Sequence, residues 1–207
     1  MSYQQELYKA QIVPRNLGGV RMDVRYFYPK TKADILVVDA PWSQTPNPTR
    51  GLVVAYGTMR DEDIFALDLN QYQNRGIILW WVTNATYEPS LQFLHNSGYE
   101  VLNELVWIKL SPNGALQNNV GYYLQHAKEI ALVAIKDVDR DGIVSRLERT
   151  RSVIFAPRMS RNQKPREQYQ YLEDIAGFAG RQERVRMELF ARKCNLRRDW
   201  ISVGNEV

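Results

Sequence analysis

The stretch Asp34-Ile35-Leu36-Val37-Val38-Asp39-Ala40-Pro41-Trp42 constrains this chain more than any other, because four consecutive aliphatic residues end abruptly in a carboxylate, a proline and an indole. An unbroken Ile/Leu/Val run without polar alternation suits a parallel strand covered on both faces. Ligands of such sheets gather at the carboxyl edge of the strands. Asp39 and Trp42 are therefore predicted to stand where an α/β sheet carries out its chemistry.

The rest of the sequence supplies further elements of the same kind. Ile77 to Thr83 reads as a second buried strand, with Trp80 and Trp81 on opposite sides and one of the two indoles in the core. Asn84 ends that strand, at a position expected to line a cleft. Val101 to Lys109, Glu129 to Lys136, Ser152 to Phe155, Val185 to Phe190 and Trp200 to Val207 complete the predicted strands. Asp61 to Leu67 has an acidic helix start before an apolar face. Glu88 to Ser97 has helical spacing through Leu91 and Leu94, with Gly98 as its C-terminal cap. Pro165 suits a first helical position ahead of Glu167 to Ile175. Ser43 to Gly51, with Pro46 and Pro48, reads as a loop and a candidate lid in which Arg50 could meet a phosphate.

Composition narrows the function classes. With 44% hydrophobic content, 207 residues can bury one substantial core, and a single domain is expected. The net charge of +4 is mild. From Arg151 to Trp200, however, twelve Lys and Arg stand against six Asp and Glu. That bias fits a nucleic-acid-facing surface or an ordinary solvated one. A single cysteine, Cys194, cannot form an internal disulfide or a multi-cysteine zinc site. The first residues lack the apolar core of a signal peptide, and no apolar run approaches the ~20 residues of a membrane span. A soluble, intracellular protein without membrane contact is expected. Without a glycine-rich phosphate loop, nucleotide hydrolysis and NAD chemistry are disfavoured.

Asp137-Val138-Asp139-Arg140-Asp141-Gly142, closed by Glu148, matches the ligand spacing of an EF-hand loop. The flanking segments read as strands, whereas that motif requires a helix on each side. An acidic turn between strands is the preferred reading, with calcium as the alternative and no metal expected.

Asp39 and its neighbours suit one particular task. An exocyclic aryl amine such as adenine N6 is a poor nucleophile, because its lone pair is delocalised into the ring. A carboxylate and an adjacent backbone carbonyl can accept both of its N–H bonds while an aromatic face stacks on an extruded base. Asp39, the carbonyl of Ala40 or Pro41, and Trp42 would supply these groups.

Asp39-Ala40-Pro41-Trp42 resembles the Asp-Pro-Pro-Trp motif of the MT-A70 family of adenine N6 methyltransferases. Further segments follow in the family's order. They are Tyr56-Gly57-Thr58-Met59, Leu79-Trp80-Trp81-Val82-Thr83, Gly121 to Glu129, Gln163-Lys164-Pro165, Glu188-Leu189-Phe190-Ala191-Arg192 and Trp200 to Glu206. The resemblance covers residues 22–207, preceded by an entry segment over 1–21. It looks closest to subunits of the ciliate DNA adenine methyltransferase complex.

The resemblance implies an α/β fold: a single Rossmann-like, permuted (β-class) methyltransferase domain with a mostly parallel sheet. It implies S-adenosyl-L-methionine as cofactor, with Asp23, Val24, Asp39, Lys164, Arg192, Asn195, Asn205 and Glu206 holding it. Asp23 would meet the donor's adenine amino edge, Lys164 its methionyl carboxylate, and Arg192, Asn195, Asn205 and Glu206 the ribose and nearby atoms. The substrate would be DNA, with RNA as the alternative. Partners would be an MT-A70 paralogue in a heterodimer and further DNA-binding subunits, in the nucleus. The segment from Pro112 to Gly121 resembles the one that meets a partner or substrate, and His126 just beyond it reads as a structural group. Ala40 departs from the family's proline, so a catalytically degenerate, scaffolding paralogue stands as the alternative to an active subunit.

Overall fold

The computed structural model describes residues 19–43, 57–118, 124–159, 163–177 and 184–207. Among these residues eight strands form one sheet: β1 (Gly19–Arg21), β2 (Ile35–Val38), β3 (Gly76–Val82), β4 (Glu100–Leu110), β5 (Lys128–Lys136), β6 (Val153–Pro157), β7 (Arg186–Leu189) and β8 (Trp200–Gly204). Their order across the sheet is β1-β8-β7-β2-β3-β5-β4-β6. Among them β5 alone is reversed, pairing antiparallel with β3 and β4, so the sheet is mostly parallel as expected. Gly19–Arg21, assigned to the entry segment by sequence, is an edge strand paired with β8.

Among the described residues four α-helices cover the two faces: α1 (Asp61–Phe65), α2 (Tyr87–Asn96), α3 (Arg140–Leu147) and α4 (Glu167–Ala176). The continuous aliphatic strands make this layering possible, because residues that alternate across a strand feed two separate cores. Leu36, Val38, Trp80, Met187 and Leu189 pack with Ile64 and Leu94 from α1 and α2. Ile35, Val37, Trp81 and Trp200 pack with Ile143 of α3 and with Tyr169, Leu172 and Ile175 of α4. Both indoles of the Trp80-Trp81 pair are therefore buried, one per face, which corrects the expectation of a single core indole. Each N–H finds a partner: Trp80 Nε1 donates to Ser90 Oγ at 3.0 Å and Trp81 Nε1 to Gln168 Oε1 at 2.8 Å.

The acidic run 137–148 is a second correction. Instead of a calcium loop or a simple turn between strands it forms α3, with Asp139 as N-cap accepting from the Gly142 amide at 3.1 Å. An aspartate before a helical segment satisfies an otherwise orphaned N–H. The spacing of the aspartates thus reflects a helix start. Gly98, at φ +84°, takes the left-handed position after α2 as predicted.

Candidate active site

The direction of the strands decides what meets at one edge. β1, β8, β7, β2 and β3 are parallel, so the residues following each of them lie along the same side of the sheet. These are Asp23 after β1, Asn205 after β8, Phe190 after β7, Asp39 after β2 and Thr83 after β3. Because β5 is reversed, its first residues, including Glu129, join the same edge, opposite Trp107 near the end of β4. The chain leaves β2 towards β3 on one side and returns through β7 on the other, so the edge beside β2 is a switch point of the kind where open α/β sheets hold ligands.

A crevice of about 320 Å³ opens there, lined by Asp23, Val24, Pro41, Met59, Phe190 and Asn205 among others. This volume lies at the small end of the range for small-molecule sites, roughly 300–1,000 Å³. The expected site residues Asp23, Val24, Pro41 and Asn205 are thereby brought together from three separate segments. Asn84 is exposed and does not line the crevice. Arg50 and Tyr56 lie outside the described residues.

The crevice is tightly built. A Cβ at Gly204 would fall 2.3 Å from the carbonyl oxygen of Ala191, so only glycine lets the end of β8 approach the residue following Phe190. Phe190 itself has φ +61°, a strained conformation for an aromatic residue and one that marks the turn out of β7. Asp23 caps a short 3₁₀ turn, and both its oxygens are engaged by Arg25, Nη2 to Oδ2 at 2.6 Å. That hydrogen bonding holds its carboxyl below the ordinary value, against the opposing effect of burial. Tyr72 Oη donates to the Val24 carbonyl at 2.6 Å, fixing the floor of this corner.

Asp39 lies beside the crevice without lining it, two residues before Pro41, and its carboxylate is turned towards Lys164 on the α4 side of the sheet. Its Oδ1 lies 2.7 Å from Lys164 Nζ, which also sits 3.0 Å from Glu129 Oε2. Glu129 is held on its other side by Lys109 at 2.5 Å. The Lys164 ammonium stands 5.2 Å from the centre of the Trp81 ring. Two carboxylates and two ammonium groups therefore alternate in a partly desolvated chain whose charges cancel. Burial opposes the Lys164 charge, but Asp39 and Glu129 override it and hold the ammonium well above its ordinary range. Burial likewise disfavours the Glu129 anion, yet Lys164 and Lys109 pull its carboxyl down to about 2. Asp39 is pushed up by burial against the pull of Lys164 and Arg192.

The remaining expected residues divide between these regions. Arg192 Nε pairs with Glu206 Oε2 at 3.2 Å, and the Lys193 amide donates to the Glu206 carbonyl, tying the tail to the turn after β7. Asn195 is turned inward, its Nδ2 donating to Glu188 Oε1 at 2.5 Å. Ala40 is buried, and its carbonyl accepts from the Trp42 amide at 2.9 Å. The Pro41 carbonyl accepts from the Met59 amide at 2.8 Å.

Trp42 is where the expectation fails. Only 5% exposed, its ring lies 5.3 Å from Phe65 and 5.8 Å from Trp80, and Nε1 donates to the Trp81 carbonyl at 3.1 Å. A ring held by core aromatics on one face of the sheet has no open face for stacking a base. Its role is to anchor the turn carrying Pro41. Reading the sequence as a motif missed Glu129, Lys109 and Glu188 as site residues. Their signal was present as charged residues inside or at the ends of segments otherwise apolar enough to be buried strands.

Comparison with known proteins agrees with this architecture. The chain is 29% identical over 211 residues to the N(6)-adenosine-methyltransferase MT-A70-like protein of Arabidopsis thaliana, covering 98% of this chain and 27% of that one. It is 31% identical over 180 residues to its Drosophila melanogaster counterpart, covering 85% and 27%. With the N(6)-adenosine-methyltransferase catalytic subunit METTL3 of Homo sapiens it shares 29% over 189 residues, covering 89% and 30%. The chain thus spans less than a third of the length of these relatives. The MT-A70 family model matches residues 33–206, a span that takes in the strand ending at Asp39, Lys164 and the Arg192 to Glu206 tail, and the chain belongs to the MT-A70 family.

Proposed function

We propose that this chain is the catalytic domain of an S-adenosylmethionine-dependent N6-adenine methyltransferase acting on nucleic acid, with DNA as the favoured substrate. The observation that carries the reading is the pairing of Asp39 with Lys164 beside a crevice built from Asp23, Val24, Pro41 and Asn205. The donor groups fit such a cofactor chemically. Asp23 and Asn205 suit an amino edge and vicinal hydroxyls, and Lys164 suits a carboxylate.

When bound, the donor supplies an electrophilic methyl group on a sulfonium centre. The protein's contribution is to hold the accepting amine in line with it. Asp39 accepts one N–H of the target amine, and the second lone pair of the Ala40 or Pro41 carbonyl accepts the other. Lys164 keeps Asp39 oriented. Pro41 and Phe190 wall the cleft against water. Arg192, Asn195 and Glu206 act on the donor through the turn that links β7 to the tail.

The same reading includes a heterodimer with an MT-A70 paralogue, with DNA-binding subunits around it, and a nuclear location. Among the described residues no helix is long and apolar enough to cross a membrane. A second reading, a degenerate scaffolding paralogue, is favoured by Ala40 in the motif and by the occupation of Asp23 by Arg25.

Calorimetric titration with S-adenosylmethionine, followed by methyl transfer to DNA and RNA oligonucleotides alone and with a paralogue, separates the two. Saturable donor binding and transfer abolished by Asp39→Ala are expected. No binding at millimolar donor, or transfer unchanged by Asp39→Ala in the complex, would assign this chain the scaffolding role.

A further inference from the structure

A buried carboxylate outside the Asp39 and Lys164 pair joins three parts of the molecule that the donor site requires to be in register. Glu188, in the middle of β7, is 1% exposed. Its neighbours Met187 and Leu189 feed the core under α1 and α2, so Glu188 faces α4, on the side to which Asp39 points. Its Oε2 accepts from Tyr169 Oη of α4 at 2.8 Å, and its Oε1 accepts from Asn195 Nδ2 at 2.5 Å.

The two donors belong to different halves of the site. Tyr169 lies on the helix entered directly after Lys164. Asn195 closes the 3₁₀ turn Lys193–Asn195, which begins after Arg192 and is tied to Glu206 beside Asn205. Gln163, next to Lys164, reaches the same turn by donating Nε2 to the Cys194 carbonyl at 3.3 Å. Packing alone would be served as well by leucine, whereas burying a carboxylate between two donors costs stability unless both bonds are made.

Resting on the methyl-donor reading above, we propose that Glu188 is a positioning residue that holds the Lys164 side and the Asn195 to Glu206 side of the donor site at their working separation. It touches neither substrate nor donor.

An ionised carboxylate accepts both bonds at once. A protonated one must itself donate a hydrogen, and the buried Ser202 hydroxyl, paired with Glu188 in register and without a hydrogen-bond partner among the described residues, offers an alternative acceptor. Protonation therefore loosens the clamp. Burial raises the Glu188 carboxyl to about 7, against the hydrogen bonds from Asn195 and Tyr169. Asp39 from β2 adds like charge, and Arg197 before β8 opposes it, its guanidinium 3.3 Å from the Tyr169 ring centre. Donor affinity should then fall as pH drops through this range.

The test is calorimetric titration of wild type, Glu188→Gln and Tyr169→Phe with S-adenosylmethionine between pH 6 and 8.5, with thermal melts of each protein. Wild type should bind less tightly below pH 7. Glu188→Gln should bind about tenfold more weakly at pH 8, the size of one charge-assisted hydrogen bond, with a flat profile. Tyr169→Phe, which keeps the ring and the carboxylate, should weaken binding while retaining the pH break. If wild type binds the donor and Glu188→Gln matches its affinity and pH profile, the clamp is wrong while the donor site stands. If wild type binds no donor, both fall. Should Glu188→Gln fail to fold, Tyr169→Phe with unaltered affinity overturns the proposal.

Discussion

Lys164 Nζ lies 2.7 Å from Asp39 Oδ1 and 3.0 Å from Glu129 Oε2, so a single ammonium joins the end of β2 to the start of β5 across β3. The residue assigned to the donor's carboxylate by motif already has two carboxylate partners within the protein. Its charge therefore acts on the fold and on the site together.

Removing that charge should be costly. Lys164→Met leaves the half-buried Asp39 and Glu129 as facing anions with Lys109 as the remaining ammonium of the cluster, and a stability loss of about 3 kcal/mol is expected. Urea unfolding at pH 7 measures it. A loss below about 1 kcal/mol would mean that water already screens the cluster. Methyl transfer should fall below detection in the same variant.

Glu129 predicts the acid limb of stability. Its carboxyl is lowered to about 2 in the fold against an ordinary value of 4.5, so its contribution is fully present above 4.5 and is lost as pH falls towards 2. Glu129→Gln should therefore be less stable than wild type at pH 6, with the gap closing between pH 4.5 and 2. Denaturant midpoints across that range check the sign, and a gap independent of pH would refute the assignment.

Ala40 can be tested by restoring the family's residue. The turn is held by the Trp42 amide donating to the Ala40 carbonyl and by the buried indole, so proline has little left to fix. Ala40→Pro should stabilise the chain by at most ~1 kcal/mol and change transfer by no more than about fivefold. Activity appearing only in Ala40→Pro would identify alanine as what silences the chain.

Trp42 separates an anchor from a stacking platform. Trp42→Ala should cost about 3–5 kcal/mol through the cavity it leaves among Phe65 and Trp80. Trp42→Phe should lower the melting temperature but leave KM for the oligonucleotide unchanged. A rise in that KM without loss of stability would restore the stacking role.

The pattern of local residues was sufficient for the central strands of the sheet but not for its edge strand β1. Ile35 to Val38 and Ile77 to Val82 declare buried strands because nothing polar interrupts them, and Gly98 marks a helix end because its φ of +84° suits no other residue type as well. The acidic run at 137–148 misled because an N-capping aspartate and a calcium ligand are the same residue type at overlapping spacing. Only the helix that follows separates them.

The sequence by itself determined the layered α/β fold and which residues carry the family's motif, since both are written in hydrophobic period and residue order. Only the tertiary structure decided that Trp42 is core, that Asp39 turns towards Lys164 and Glu129, and that Glu188 clamps Tyr169 to Asn195. Those outcomes depend on which face of the sheet each strand-end side chain takes and on charges more than thirty residues apart. Distance along the chain conveys neither, because hydrogen-bonded strands and desolvated ion pairs are set by proximity in space.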